Sequence, residues 1–145
     1  MVKQIPEDDI LFLLGDLLLT KPCYLTEFCT LYHLFSNLNM DALRIMKSTS
    51  KLLKVEPTGI TMLEKLKKYS WYLISYSLNL YKKKFLLECL RMTYSPWNSE
   101  IKGTRRLWVK AFFGRKYRIY NYTKDWVVNL IIRGKIDKRH KKYVK

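Results

Sequence analysis

The segment from Arg105 to Lys124 mixes cationic and aromatic side chains, a pattern typical of nucleic-acid binding. Lysine and arginine neutralise backbone phosphates and release the counterions condensed on the polymer. Aromatic rings between them offer faces on which unpaired bases can stack. We therefore predict a nucleic-acid-binding surface formed by Arg105, Arg106, Trp108, Lys110, Arg115, Lys116, Arg118, Tyr120 and Lys124.

The net charge is concentrated in the same region. Residues 100–145 contain 15 Lys and Arg against three Asp and Glu, a net charge of +12 out of +16 for the whole chain. Residues 1–46 have the opposite balance, a net charge of −3. A surface that only needed solubility would interleave both signs, so this distribution predicts a polyanionic partner. We expect that partner to be DNA or RNA, with DNA slightly preferred because no RNA-module signature is present.

Two other interpretations of the basic segment stay open. Its aromatic residues could belong to a core, with the cations as a solvated rim or as a surface for an acidic protein. The tail, residues 135–145, contains a cluster that predicts a nuclear import signal or a phosphate-contacting arm, although a solubilising end has the same composition. This cluster consists of Lys138, Arg139, Lys141 and Lys142.

Side chains that could perform acid–base chemistry are few. The chain has two histidines, of which we expect His33 to be a core residue, while His140 lies in the basic tail. A histidine-based general base or catalytic triad is therefore not expected. The three cysteines lack metal-ligand spacing and indicate structural thiols.

One tripeptide, Glu100-Ile101-Lys102, matches half of a metal-dependent nuclease pattern. No Asp lies between Asp41 and Asp125 to supply the usual second ligand. We therefore predict a protein that is not an enzyme, with no cofactor and no metal.

Apolar periodicity predicts a mainly α-helical N-terminal part. The acids after Pro6 indicate a helix start, and the following run to Leu19 is apolar almost all round. Further helices are predicted from Thr26, from Asp41 and, as the longest, from Thr58 or Thr61 to about Met92.

The stretch 94–99 ends this pattern because it contains Pro96, and it is the predicted domain boundary. Beyond it, Arg105–Phe113 fits a helix closed by Gly114; alternatively, Arg106–Phe113 fits the first strand of a hairpin with Lys116–Tyr122. We favour a strand for Lys116–Tyr122 and, weakly, a helix for Trp126–Ile132.

These observations predict three parts: a helical bundle around a long central helix over 5–95, a small basic α+β module over 96–134, and the tail. The hypothesis is a nucleic-acid-binding subunit of a larger nuclear or viral complex, whose N-terminal helices dock to a protein partner. A homo- or hetero-oligomer fits this hypothesis. We expect no membrane span, because the apolar run from Ile10 to Leu19 is too short for a bilayer. The alternative is a small helical adaptor or viral host-interaction protein whose basic end binds an acidic protein surface.

Overall fold

The computed structural model describes residues 2–13, 17–19, 25–45, 52–90, 95–124, 127–129, 131–132 and 135–136. Its main element is a six-stranded mixed sheet in which all neighbouring strands are antiparallel except one parallel pair, β3 and β7. The strands are β1 (Asp9–Phe12), β3 (Ala42–Arg44), β4 (Val55–Pro57), β5 (Leu63–Leu66), β6 (Asn79–Lys82) and β7 (Ile119–Tyr122), in the spatial order β1-β6-β3-β7-β5-β4. Two short antiparallel ladders pair β2 (Leu17–Leu19) with β8 (Val127–Asn129) and β9 (Ile131–Ile132) with β10 (Lys135–Ile136).

Helices cover both faces of the sheet. Successive side chains of a strand point to opposite faces, so Ala42 packs into one core cluster and Leu43 into the other. The first cluster includes Phe85 and Leu107, and the second includes Leu31. The described helices are a 3-10 turn (Val2–Gln4), α1 (Leu25–Asn37), α2 (Lys83–Cys89) and α3 (Pro96–Phe112), with α2 and α3 on the first face and α1 on the second.

The mainly α-helical, all-α prediction is therefore wrong, because a six-stranded sheet is the centre of the fold. The run predicted as the first helix contains strands β1 and β2 instead. The all-round apolar helix that we expected to dock a protein partner is thus not present. Asp41 does not cap a helix but immediately precedes β3. The segment Trp126–Ile132, for which a helix was weakly favoured, contains β8 and β9 instead.

The long central helix predicted from Thr58 or Thr61 to about Met92 is also wrong. This stretch contains β5, an irregular segment, β6 and the short helix α2. Hydrogen bonds hold the irregular segment in shape: Asn79 Nδ2 donates to the carbonyl of Ser75 at 2.8 Å and to that of Ser77 at 2.9 Å. Side chains that bond the backbone in this way compete with helix formation. Four side chains of the predicted helical pattern are thus buried without forming a helix: Leu66, Leu73, Tyr76 and Leu80.

Two local predictions are confirmed, and one open alternative is decided. The helix expected near Thr26 is α1, and the strand expected in Lys116–Tyr122 is β7. Of the two alternatives for Arg105–Phe113, the helix is present as the end of α3, which begins already at Pro96. Ser95 caps α3 by accepting a hydrogen bond from the backbone N–H of Asn98, 3.3 Å away. Gly114, with φ +89°, ends it in a conformation that side chains disfavour.

Because β7 pairs with β3 and β5, residues from both sides of the predicted domain boundary meet in one sheet.

Candidate nucleic-acid interface

A groove of about 800 Å³ lies between the turn that follows β5 and the segment that joins α3 to β7. Apolar side chains such as Leu66, Leu73 and Ile119 form part of its wall. We call this feature the basic groove, because six cations and the acid Glu56 line it. The cations are Lys65, Lys67, Lys68, Arg115, Lys116 and Arg118.

Strand pairing brings these cations together from distant parts of the sequence. In the antiparallel pair of β5 and β7, Lys65 lies opposite Tyr120. The chain that leaves β5 and the chain that enters β7 therefore lie at the same end of the sheet, which places Lys67 near the 116–118 segment. The backbone N–H of Lys67 donates to the carbonyl of Lys54 at 2.9 Å and fixes the turn.

Asp41 fixes the backbone of Arg118, one of the residues that line the groove. Its backbone N–H donates to the carbonyl of Arg118 at 2.8 Å, and its carboxylate accepts the backbone N–H of Arg118 at 2.7 Å. These bonds use only the backbone of Arg118, so its guanidinium stays exposed at the groove.

Trp108 supports the turn that follows β5 and carries Lys67 and Lys68, which we call the lysine turn. Its indole N–H donates to the carbonyl of Ser70 at 3.0 Å, and the N–H of Ser70 donates to the carbonyl of Lys67 at 2.9 Å. The Trp108 ring also packs edge-on against Trp71, with centroids 4.7 Å apart. Trp108 therefore connects α3 to the turn that presents Lys67 and Lys68.

Glu88 engages two of the predicted cations. Its carboxylate lies 2.6 Å from the Lys110 Nζ and 3.8 Å from the Arg115 guanidinium, and it accepts the Tyr117 hydroxyl at 3.2 Å. Burial alone would raise the pKa of Glu88, but these hydrogen bonds and positive charges outweigh burial and lower it. Lys110 thus has an internal partner, whereas Arg115 both contacts Glu88 and lines the groove.

The other predicted residues lie outside the groove lining. Arg105 is exposed and Arg106 half-buried on α3, and Tyr120 is half-buried in β7. Lys124 pairs with Glu27 on α1 at 3.3 Å. The tail cluster, residues 138–142, lies outside the described residues, so the nuclear import signal stays a prediction.

Sequence reasoning missed Lys65, Lys67 and Lys68. They lie within the stretch that was predicted as the long central helix, and no prediction placed them beside Arg115, Lys116 and Arg118. Nothing in the groove lining distinguishes DNA from RNA, so the predicted preference for DNA has no support in the described structure.

The groups considered for other chemistry are placed elsewhere. Glu100 accepts the backbone N–H of Tyr76 at 2.6 Å, and burial raises its pKa. His33 is exposed on α1, so the prediction that it belongs to the core is wrong. Cys29 is exposed, while burial of Cys89 raises the pKa of its thiol. Among the described residues, no group of three His, Cys, Asp or Glu side chains is placed to hold a metal ion.

Of the helices in the described part of the chain, none has the length and apolar content needed to cross a membrane. Comparisons of the chain with protein-family models, with curated proteins and with solved structures found no match.

Proposed function

We propose that this protein binds nucleic acid without catalysis and that the basic groove holds the phosphate backbone. One observation carries the proposal. Within the described residues, the side chains of Lys67, Lys116 and Arg118 line the groove with no carboxylate at ion-pair distance. Unpaired cations in one groove produce a local positive potential that attracts phosphates.

The arrangement favours a polymer over a single anion. The cations belong to two segments, 65–68 and 115–118, which both line a groove of about 800 Å³. A single phosphate would contact only a few of them, while successive phosphates of one strand could follow the whole groove. Each neutralised phosphate adds counterion release to the binding free energy.

Salt titration of binding tests this proposal. The affinity of the protein for a duplex and for a single strand is measured against salt concentration, for the wild type and for a Lys67→Glu/Lys116→Glu variant. Each phosphate contact contributes about 0.9 to the slope for a duplex and about 0.7 for a single strand. Loss of two contacts should flatten the slope by roughly twice these amounts.

Lys84→Glu is the matched control, because Lys84 is an exposed lysine on α2 outside the groove lining. It changes the net charge in the same direction and should leave the slope nearly unchanged. Lys84→Glu changes the net charge half as much as the double groove variant, so an effect half that of the double variant would show that only net charge matters. Absence of any salt-dependent binding to either polynucleotide would favour the alternative hypothesis of an adaptor, in which the basic groove binds an acidic protein surface.

A further inference from the structure

An exposed aromatic pair lies at the edge of the basic groove. Phe112 and Phe113, at the C-terminal end of α3, are 75% and 80% exposed. Their neighbours on either side, Ala111 and Gly114, both line the groove. Two large apolar side chains are therefore held in solvent directly beside a row of cations.

The rings of Phe112 and Phe113 are not stacked flat on each other. Their centroids are 5.5 Å apart and their planes meet at 87°. In this edge-to-face arrangement the edge of one ring lies against one face of the other, and the remaining faces of both rings are not covered by the pair. Two differently oriented π surfaces are thus available to planar partners.

We propose that the ligand of the basic groove is a single-stranded polynucleotide and that Phe112 and Phe113 stack its unpaired bases. This inference rests on the proposed function and names its ligand class. A strand whose phosphates lie along Lys116 and Arg115 would carry its bases to the groove edge, where the two rings are exposed. Bases of a duplex are stacked on each other and would offer no such face, so stacking requires a single strand.

Charge complementarity and shape select this occupant over an anionic membrane or a second copy of the chain. The cations line a groove, which suits a narrow chain of phosphates better than the flat layer of headgroups on a bilayer. A second copy would bring its own net charge of +16 towards the same cations.

The test compares Phe112→Ala/Phe113→Ala with Phe112→Leu/Phe113→Leu and with the wild type. Binding is measured to an oligothymidylate, to a strand of equal length with abasic sites, to a duplex and to vesicles containing phosphatidylserine. Stacking on one ring is worth about 1 kcal/mol or more, so both variants should lose about fivefold or more in affinity for oligothymidylate. Affinity for the abasic strand and for the duplex, and the salt slope, should stay at the wild-type values.

The leucine variant separates stacking from plain hydrophobic contact, because leucine is apolar but has no π face. Full retention of oligothymidylate affinity by the leucine variant would overturn the inference. So would an equal loss on the abasic strand, a loss confined to vesicles, or a change of oligomeric state in sedimentation. If the wild-type protein binds all three polynucleotides equally and the phenylalanine variants keep the wild-type affinities, the inference fails but the proposed function stands. If the wild type binds none of the three, the proposed function itself fails.

Discussion

The Nζ of Lys110 lies 2.6 Å from a carboxylate oxygen of Glu88, which joins α3 to α2. Lys110 was predicted to contact phosphate, yet it has a protein partner, whereas Lys116 has no carboxylate partner within the described residues. We expect Lys110→Ala to lower the free energy of unfolding because it removes the ion pair with Glu88. The loss should be only about 1 kcal/mol, because the Lys110 side chain is partly exposed and solvent screens the pair. The polynucleotide affinity of this variant should remain near that of the wild type. Lys116→Ala should lower the polynucleotide affinity and leave the free energy of unfolding near that of the wild type. Urea denaturation and salt titration of both variants measure the two effects, and equal loss of affinity would contradict this division.

The lowered pKa of Glu88 predicts a pH dependence of stability. Because the folded-state pKa lies below its ordinary value, the ionised carboxylate stabilises the fold above that value. This contribution is lost as pH falls through the lowered pKa. Glu88→Gln should therefore be less stable than the wild type at neutral pH, by about 1 kcal/mol or less. Thermal unfolding across acidic pH should show the difference vanish, and a constant difference would contradict the prediction.

Glu100 should show the opposite pH dependence. Burial raises its pKa, and the hydrogen bond from the Tyr76 N–H and the charge of Arg44 only partly offset burial. The folded state therefore binds the proton more tightly than the unfolded chain, and its stability rises as pH falls through the raised pKa. In Glu100→Gln this gain is absent. The stability of the wild type relative to Glu100→Gln should thus increase on acidification towards the ordinary pKa of 4.5. Parallel stability profiles of the two proteins would show that Glu100 keeps an ordinary pKa.

Trp108 gives a prediction that links stability to the groove. Trp108→Phe keeps an aromatic ring but removes the N–H that donates to the carbonyl of Ser70. Loss of this bond should lower the free energy of unfolding by about 1–2 kcal/mol. Because Ser70 also bonds Lys67, the lysine turn should loosen and polynucleotide affinity should fall with it. Chemical denaturation and binding are measured together. A loss of affinity with unchanged stability would instead indicate that the indole itself contacts the ligand.

Local signals in the sequence predicted part of this fold. Gly114 was the predicted end of one alternative, a helix, and it follows α3 because glycine readily adopts a positive φ. Pro96, in contrast, was interpreted as the end of a preceding helix, yet it is the first residue of α3, where the missing N–H of proline costs no helix hydrogen bond. The sheet could not be predicted in this way. Short segments such as Asn79–Lys82 place buried side chains on both faces of the sheet, so they lack the alternation of a half-exposed strand and resemble pieces of a helix.

The candidate site was predicted to the extent that its residues are neighbours in sequence. Arg115, Lys116 and Arg118 fall in one basic run and line one groove. The lysines of 65–68 join them only because β5 pairs with β7, a contact across about fifty residues that periodicity does not report. The ion pair of Lys110 with Glu88 depends in the same way on how α2 packs against α3.

The packing of α3 against the irregular segment gives the last prediction. Gly103 is buried in α3, and a Cβ at this position would lie 2.5 Å from Cδ1 of Ile74. Ile74 is fully buried, so its side chain has little room to move away. Alanine favours a helix by about 1 kcal/mol over glycine, but overpacking costs about 1–3 kcal/mol, so Gly103→Ala should destabilise or be neutral.

Ile74→Val removes the very atom that the new Cβ would meet. Alone it should cost about 1 kcal/mol through the small cavity that it leaves. Combined with Gly103→Ala, the added methyl group fills that space, so the double variant should be more stable than the sum of the single effects predicts. Urea denaturation of the four proteins in this cycle measures the coupling. Additive effects would mean that α3 does not approach Ile74 as closely as the structure places it.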